Sequence, residues 1–327
     1  MRIYSPGTFQ GKRKKSGYFE GWYFKCISAA ENSAAAIIPG IAAGIKGKDS
    51  HSFIQVLDGI TGEYSYIQFP FEAFSYSTKG FSIAIGENRF SERSCVLSIK
   101  NPPISGELNF DNLKPWPVKT FSPGAMGWFA FLPFMEDYHG ILSFSHRITG
   151  TLKIRDRVHD FKNGKGYIEK DWGRSFPENW IWMQSNHFSD ESASISVSIA
   201  KIPWGKKYFT GFIAGFLFKN TLYKWCTYTG AKIIDLKYEN SGTVSILIED
   251  RKNRIRIRAV KIGGTRLKAP KQGDMGGHVN ESLTSNIHVE LYTKIKNSWE
   301  NIFEDKGRMA GLEIHGRVQH DKQWKSR

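Results

Sequence analysis

The stretch Gly166–Phe188 reads GYIEKDWGRSFPENWIWMQSNHF, and it decides how the rest of the chain is interpreted. Most of it alternates with the period of two that is typical of a β-strand, and its 23 residues include three tryptophans beside charged and amide side chains. Buried charges need partners, so a strand of this composition is costly to build as plain core. The stretch therefore predicts the wall of a site that binds a large apolar ligand and acts on it with a few polar groups.

Strand signals also dominate the rest of the sequence. Short runs of β-branched and aromatic residues recur along the chain, separated by Gly, Asn, Asp or Pro. His51–Leu57 and Glu63–Phe69 flank the turn-rich loop Asp58–Gly62, and this arrangement predicts a hairpin. Arg254–Arg258 alternates arginine with isoleucine, which predicts a strand with one solvated face; the alternative is a contact with an anionic surface.

Many short strands at this spacing favour barrels or sandwiches, and their number exceeds one small barrel. We therefore predict an all-β protein with little helix, folded as two antiparallel β-barrels that pack together. A turn-rich segment near the middle of the chain places the expected boundary near residue 155. The expected domains are an N-terminal barrel over residues 1–155 and a C-terminal barrel over residues 156–327.

Composition says more about the partners and the cellular compartment of the protein than about its function. The net charge of +15 favours an anionic membrane surface, nucleic acid or an acidic ligand without choosing among them, and a basic protein with no polyanionic partner is the alternative. Three scattered cysteines indicate no disulfide framework and a reducing compartment. No signal peptide and no apolar run of about 20 residues is found, so the expected location is cytoplasmic, with membrane-peripheral attachment as an option.

Several common chemistries lack their motifs. The sequence has no GxSxG elbow, no GxxxxGK[ST] phosphate loop and no HExxH pair. No metal site is expected, because His139 and His146 lack a convincing third ligand. No nucleic-acid partner is expected either, because the net positive charge favours one but no nucleic-acid-binding motif is found.

Alternate residues of a strand share a face, and this rule sorts the opening stretch into two groups. Trp180, Trp182, Gln184 and Asn186 form a wide aromatic face with two amides, which suits an aromatic or isoprenoid ligand that carries oxygen. The alternative is a packing surface at a sheet edge or between domains. His187 lies on the opposite face.

Acidic residues supply the candidate proton donors. Glu169 and Asp171 share a face at a spacing that lets one raise the pKa of the other, which would keep a carboxyl protonated near neutral pH; a surface ion pair is the alternative. Glu20 shares a face with Trp22 near the N-terminus. Glu136 and His139 are a further pair in the segment FMEDYHG, Phe134–Gly140, which also carries Asp137.

At this point the sequence resembles the tocopherol cyclase family. The motifs that carry the resemblance are the opening stretch, YFEGWYFK (Tyr18–Lys25), IPGI (Ile38–Ile41), HSFIQV (His51–Val56) and PGAMGWFAFLPFMEDYHG (Pro123–Gly140). They are ordered and spread over residues 16–190. The family is similar to two-domain lipocalin-like proteins, so the resemblance implies that both barrels are lipocalin-like. The absence of a plastid transit segment, and Asp137 where plant relatives are expected to have Cys, indicate a bacterial member.

The family closes a prenylated hydroquinone into a chromanol ring without a redox cofactor, so the resemblance implies an isomerase-type cyclase that needs no cofactor. An alkene must be protonated to a tertiary cation, which requires an acid, an aromatic lining and exclusion of water. A non-catalytic lipid or isoprenoid carrier, or an enzyme that adds a proton or water to an isoprenoid alkene, are the alternatives. The expected catalytic residues are Glu20, Glu136, His139, Glu169 and Asp171. The expected substrate-binding residues are Trp22, His51, Trp172, Trp180, Trp182, Gln184, Asn186 and His187.

Overall fold

A computed structural model describes residues 2–12, 14, 16–240 and 242–318 of the chain. The predicted all-β, lipocalin-like class is confirmed: antiparallel strands dominate, and the described part of the chain holds no α-helix. Its helical turns are short 3-10 segments at Arg2–Tyr4, Ile45–Gly47, Phe71–Ala73, Gly127–Phe131 and Thr227–Thr229. Within the described residues, no helix is both long and apolar enough to cross a bilayer.

The chain forms two compact units, of which the first comprises Met1–Phe176 and Thr265–Val279. Its early strands are β1 (Tyr18–Ile27), β2 (Ala34–Ala43), β3 (His51–Asp58), β4 (Tyr64–Phe69), β5 (Phe74–Tyr76), β6 (Ser82–Ile85) and β7 (Asn88–Ser91). They are followed by β8 (Ser94–Ile99), β9 (Ile104–Asp111), β10 (Val118–Lys119), β11 (Ser122–Pro123), β12 (Asp137–Ile154), β13 (Arg157–Asp160) and β14 (Gly164–Gly173).

The second unit comprises Pro177–Gly264 and Asn280–Arg327, with residues 319–327 outside the described range. Residues 265–279 between these two parts return to the first unit. The strands of the second unit before that return are β15 (Trp180–Ser185), β16 (Ser194–Trp204), β17 (Lys207–Phe218), β18 (Thr221–Cys226), β19 (Lys232–Asn240), β20 (Thr243–Glu249) and β21 (Asn253–Val260). Strand β22 (Thr265–Lys271) belongs to the first unit, β23 (Asp274–Ile295) begins in the first unit and continues into the second, and β24 (Ser298–His315) belongs to the second.

The chain leaves the first unit later than the residue 155 expected from sequence. Residue 155 falls in the tight turn between β12 and β13, where Ile154 pairs with Arg157. Strand β14 then inserts between β1 and β12, in the middle of the first unit's sheet, whose order is β4-β3-β2-β1-β14-β12-β9-β8-β7-β6-β5. A strand paired on both sides cannot belong to another domain, so the opening stretch is divided: its first part lies in the first unit and Trp180–Phe188 in the second.

Each sheet wraps around its own apolar core. In the first unit the even-numbered residues of β1 and β14, such as Trp22, Phe24 and Ile168, point inward to this core. In the second unit Ile181 and Met183 of β15 point inward, together with Ile255 and Ile257 of β21. The predicted solvated face of β21 is confirmed, because its arginines pair with glutamates at the surface.

The predicted hairpin is also confirmed, with β3 and β4 paired in antiparallel register. All three cysteines are buried and none is in a disulfide.

An ion pair inside the first unit holds the N-terminal segment in place. Lys170 Nζ lies 2.5 Å from Glu20 and donates to the carbonyl oxygens of Pro6 at 2.9 Å and Thr8 at 2.6 Å. Both charged side chains are fully buried, and the ammonium also lies 4.7 Å from the ring centroids of Trp22 and Trp172. A buried lysine has three protons to satisfy, and here all three have acceptors.

Candidate functional site

The odd-numbered residues of β14 and its neighbours build a polar cluster on the outer face of the first unit's sheet. His139 of β12 lies directly opposite Asp171 of β14, and Asp171 lies opposite Gly21 of β1 on its other side. One step along the same face, Glu169 pairs with Ile141 and Tyr23. Because alternate residues share a face, these side chains are brought together by register alone.

His139 is the centre of the cluster. Its Nδ1 lies 2.7 Å from Asp171 Oδ1, and its Nε2 lies 3.7 Å from Glu169 Oε2. Burial lowers the pKa of His139, but the charges of Asp171 and Glu169 and the hydrogen bond to Asp171 more than offset it, so the pKa rises to about 9. The residue is only 9% exposed. His139 is therefore an imidazolium at neutral pH, held between two carboxylates.

Tyr167 fixes the second carboxylate. Its hydroxyl donates to Glu169 Oε2 at 2.6 Å, and both side chains are buried. Lys25, which lies opposite Tyr167 in the β1–β14 ladder, is also buried. The cluster thus continues past Glu169 with a phenol and an ammonium group, neither of which the sequence reasoning selected.

Asp137 is the feature that sequence reasoning passed over. It begins β12 two residues before His139, on the same face. Its Oδ1 is inaccessible to solvent and has no hydrogen-bond partner within the described residues. Burial, and then the charges of Asp171 and Glu136, raise the pKa of Asp137 well above the ordinary value of 3.8. Its carboxyl therefore holds a proton where an ordinary aspartate would not. Counting back by two from His139 would have found it.

Two glycines and an apolar patch border the charged cluster. Gly21 and Gly40 lie side by side next to Asp171, and a Cβ added at Gly21 would have no neighbour nearer than 3.8 Å. The ring of Phe53 covers Gly40, where an added Cβ would lie 2.4 Å from it. Phe53 packs with Ala42 and Met275 on this face. These apolar side chains, called the apolar floor, lie on the same face as the charged cluster, and such a mixed lining suits an amphipathic ligand.

His51 shares this face but lies three strands from β14, a distance of about 14 Å at ordinary strand spacing. Its Nδ1 donates to the Asp49 carbonyl oxygen at 2.6 Å, and its Nε2 lies 2.5 Å from the Tyr66 hydroxyl. It is thus a polar group at the far end of the apolar floor. This position is compatible with the expected role in substrate binding.

Three expected site residues lie on the opposite, inward face. Glu20 accepts hydrogen bonds from Tyr18 Oη and from two backbone N–H groups besides its pairing with Lys170, so its oxygens are fully used in structure. Trp22 donates its indole N–H to the Gly7 carbonyl at 2.8 Å and has no exposed surface. Trp172 stacks on Tyr138 with the rings 7° from parallel. This placement assigns all three to the core of the first unit rather than to the cluster around His139.

Glu136 lies immediately before β12, and its backbone carbonyl accepts from the N–H of Arg174 at 2.8 Å. Its charge raises the pKa of Asp137, so it acts on the cluster from its edge.

The tryptophan face of β15 belongs to the second unit. Trp180 donates its indole N–H to Glu313 Oε2 at 2.6 Å and stacks on His315 at 4.1 Å. Trp182 and Gln184 share its face and are buried, although they are not part of the unit's apolar core. Asn186 and His187 follow the strand and are buried as well. The amides of Gln184 and Asn186 are thus buried outside the apolar core of the second unit. Together with the tryptophans they form a second polar surface, which lies in another part of the sequence from the His139 cluster.

The His139 cluster also has the donor set of a cation site. His139, Glu169 and Asp171 each offer one ligand atom, and these atoms lie within 4.8 Å of one another. The sequence argument against a metal considered only His139 with His146, and the structure pairs His139 with two carboxylates instead. Protonation of His139 and binding of a cation exclude one another at this position.

Comparisons with known proteins find a matching family, related sequences and similar folds. Residues 103–316 match the family described as "Tocopherol cyclase-like". The chain is similar to a probable chloroplastic tocopherol cyclase from Oryza sativa subsp. japonica, with 26% identity over 198 residues, 58% of this chain and 42% of that protein. It is similar to the chloroplastic tocopherol cyclase from Zea mays, with 27% identity over 207 residues, 61% of this chain and 43% of that protein. The chain thus spans about two fifths of the length that these relatives have.

Solved structures share the fold at low identity. The crystal structure of CghA aligns with a TM-score of 0.57 and 10% identity, covering 91% of this chain and 88% of that one. Kievitone hydratase from Nectria haematococca aligns with a TM-score of 0.51 and 11% identity over the same shares of the two chains. These likenesses concern the architecture of the chain alone.

Proposed function

Because the chain belongs to the tocopherol cyclase-like family, we propose that it is an enzyme that closes a prenylated hydroquinone, or a similar isoprenoid phenol, into a chromanol by acid catalysis. The observation that carries the proposal is the position of Asp137, a carboxyl with a raised pKa, two residues from His139 on the face that also holds Asp171 and Glu169. The ring closure is an isomerisation, so it needs a proton donor and a proton acceptor but no net proton.

In the proposed reaction the Asp137 carboxyl gives its proton to the less substituted carbon of the prenyl alkene. A C–H bond forms, the π bond breaks, and the other carbon becomes a tertiary cation. The phenol oxygen attacks this cation to form the C–O bond, and its proton passes to Glu169 or Asp171. His139 lies between these carboxylates and shares a face with Asp137, so it is placed to give its own proton to the Asp137 carboxylate and then to take the phenol proton from Glu169 or Asp171, which resets the site.

The charge on His139 has a second use in this scheme. Once Asp137 has given up its proton, a carboxylate is left in a buried position, where an unpaired charge is costly. An imidazolium two residues away on the same face offsets that cost. The barrier to alkene protonation falls by the amount that this pairing stabilises the new carboxylate.

The apolar floor would protect the cation. Water reaching a tertiary cation would give an alcohol instead of a ring, so the site must be dry. Tyr23 and Phe53, both buried on this face, supply ring surfaces that stabilise positive charge without reacting with it. Gly21 carries no side chain beside Asp171, so the aromatic head of a substrate would approach the backbone there.

The test is turnover in heavy water. Purified protein is incubated in D₂O with prenylated hydroquinones of several chain lengths, and products are identified by mass spectrometry. Acid-initiated closure places one deuterium on carbon in the chromanol. The variant Asp137→Asn should lose this product, whereas the matched control Asp111→Asn, at an exposed ion pair of the same unit, should keep it.

The other outcomes identify the alternatives. A product that has gained the elements of water would reassign the protein as a hydratase-type enzyme. Tight binding of every hydroquinone without conversion would favour the carrier. Full turnover by Asp137→Asn would remove Asp137 from the role of acid.

A further inference from the structure

A serine, a histidine and an aspartate meet in the first unit, and none of them takes part in the site around His139. Ser33 ends the turn between β1 and β2, Asp58 is the last residue of β3, and His159 belongs to β13. His159 Nδ1 lies 3.2 Å from Ser33 Oγ, and His159 Nε2 lies 3.7 Å from Asp58 Oδ2. These three residues are called the Ser33 triad.

The Ser33 triad lies apart from the His139 cluster. In the β2–β3 ladder Gly40 pairs with Phe53, beside the cluster, whereas Ala35 pairs with Asp58. Five residues along β2 separate these two pairs, which is about 17 Å at the ordinary rise of a strand. The triad is therefore a separate set of groups and not an extension of the cluster.

Two atoms of the triad are buried without a hydrogen bond. Asp58 is 1% exposed and His159 is 6% exposed, and among the described residues neither Asp58 Oδ2 nor His159 Nε2 has a hydrogen-bond partner. Asp58 Oδ1, in contrast, accepts from the backbone N–H groups of Ile60 and Thr61. The carboxylate is thus held in place while its second oxygen faces the imidazole. Buried polar atoms in this state are rare in folded proteins and require an explanation.

Arg157 does not supply that explanation. Its Nη1 lies 3.9 Å from Asp58 Oδ2, beyond hydrogen-bond distance, and its side chain is 59% exposed. Water therefore screens the guanidinium charge.

The gap between Asp58 and His159 gains importance when the imidazole takes up a proton. At 3.7 Å a neutral imidazole gains little from Asp58, whereas an imidazolium and a carboxylate attract each other strongly in a buried position. Transfer of the proton from Ser33 Oγ to His159 Nδ1 creates that imidazolium. Asp58 thus stabilises the state formed during a reaction more than it stabilises the resting state, which is the condition for catalysis. A serine within reach of a base that a third group orients is the arrangement of nucleophilic catalysis on unrelated folds.

We propose that the Ser33 triad is a second catalytic site, which hydrolyses small acyl esters. Ser33 Oγ attacks the carbonyl carbon and forms a C–O bond, while its proton passes to His159 Nδ1. The carbonyl re-forms as the alcohol leaves with that proton, and the acyl group stays on Ser33. Water then repeats the two steps and releases the acid and the free serine. Ser33 is half-buried and its two partners are buried, so a small acyl group fits the site best.

The experiment treats the full chain with a fluorophosphonate, which reacts with activated serines, and locates the adduct by mass spectrometry. The wild type should carry the adduct on Ser33 and should hydrolyse p-nitrophenyl acetate, and Ser33→Ala should lose both reactions. His159→Gln should slow the labelling by about 100-fold or more, the usual contribution of a general base. Asp58→Asn should slow it as well, because asparagine can accept the two backbone hydrogen bonds through its oxygen but carries no charge.

The matched control is Ser91→Ala, at a half-buried serine of the same unit that lies 3.3 Å from the Ser94 hydroxyl, and it should react as the wild type does. Urea denaturation shows whether each variant is folded. Three results would overturn the proposal: no adduct on the wild type, an adduct on a serine other than Ser33, or labelling of His159→Gln and Asp58→Asn at the wild-type rate. The last would mean that His159 and Asp58 only tie β13 to β3. Labelling is measured without a hydroquinone, so its outcome is independent of the proposed cyclisation.

Discussion

Neighbouring residues of β14 use charge in two different ways. Lys170 points inward, where Glu20 and two carbonyl oxygens satisfy all of its protons. Asp171, the next residue, points outward to His139. The inner pair has no unused hydrogen-bonding capacity and serves structure, whereas the outer cluster includes an acid and a base that can exchange a proton. A single strand therefore carries both an anchor and a candidate catalytic group.

The inner pair predicts a large loss of stability on truncation. Lys170→Met should lower the free energy of unfolding by about 3–5 kcal/mol, because it leaves Glu20 buried without its counter-charge. Adding Glu20→Gln should recover part of the loss. Urea denaturation measures both, and Arg147→Met, at an exposed pair with Asp111, should change stability by less than about 1 kcal/mol. Equal effects at the two pairs would contradict the anchoring role.

His139 predicts a stability that falls as pH rises. Its folded pKa of about 9 lies above the ordinary value of 6.5, so its contribution is fully present below pH 6.5 and is lost as the pH rises to 9. The loss amounts to roughly 3 kcal/mol at 1.36 kcal/mol per pKa unit. The stability difference between wild type and His139→Gln, measured by urea denaturation, should therefore shrink between pH 6 and pH 10. A difference that stays constant would mean that His139 is not charged in the folded protein.

Replacement of Asp137 is expected to raise the stability of the protein and to lower its activity. Its raised pKa means that folding favours the protonated form, which costs free energy at neutral pH because an unfolded aspartate would ionise. Asp137→Asn removes that cost and should stabilise the protein by on the order of 1 kcal/mol at pH 7, and it should abolish the proposed cyclisation. The stabilisation should vanish near pH 3, where both states are protonated. A variant that is less stable at pH 7 would argue against a neutral carboxyl.

At the scale of elements, strands could be predicted from sequence where polar and apolar residues alternate. Strands without this alternation could not be predicted. The hairpin of β3 and β4 and the two faces of β21 follow from a period of two. Strand β2 carries the uniform apolar run AAAIIPGIAA, which has no polar face to reveal it, and its Pro39 is atypical of a central strand. The structure accommodates Pro39 where the pairing of β2 with β1 skips two positions, while the register is the same on either side.

The same limit applied to the site. Alternation correctly placed Glu169 and Asp171 on one face, but it could not say which face of β14 points into the core. That depends on pairing with β1 and β12, which lie far away in sequence. For this reason Glu20, Trp22 and Trp172 were selected with the cluster, although their side chains point the other way. Asp137 is a different case, because alternation from His139 places it on the same face and it was passed over all the same.

The paired glycines of β1 and β2 predict contrasting variants. A methyl at Gly21 meets no atom nearer than 3.8 Å, so Gly21→Ala should stay within about 1 kcal/mol of the wild type but raise the KM for a hydroquinone by narrowing the space beside Asp171. A methyl at Gly40 would lie 2.4 Å from the Phe53 ring and 2.8 Å from the Glu20 carbonyl oxygen, so Gly40→Ala should cost about 1–3 kcal/mol. Urea denaturation and steady-state kinetics separate the two, and an unchanged KM for Gly21→Ala would place the substrate elsewhere.

At the scale of the whole molecule, the units are not consecutive in sequence. Residues 265–279 return to the first unit after most of the second has been built. Their Met275 packs on Ala42 and Phe53, more than 200 residues earlier in the chain. No local sequence pattern predicts that a later segment rejoins the first unit. For this reason the sequence led to one domain boundary only.

Because residues 265–279 belong to the first unit, a substitution in this segment should lower the stability of the first unit. Met275→Ala should destabilise the first unit by about 2–5 kcal/mol, because the side chain is buried in an apolar cluster. Hydrogen exchange should accelerate in β2 and β3 but remain slow in β19 and β20. Faster exchange confined to the second unit would contradict the assignment of residues 265–279.

The central position of β14 has a consequence for biosynthesis. Strands β1 to β4 leave the ribosome early, and β5 to β12 follow, yet the sheet that joins the two groups is complete only when β14 arrives between β1 and β12. Until then the nascent chain exposes two unpaired strand edges, which are prone to mispairing. The N-terminal segment must also wait for Lys170 before it can be secured. We therefore expect the newly made chain to depend on chaperones up to that point, and to need them much less once β14 is in place.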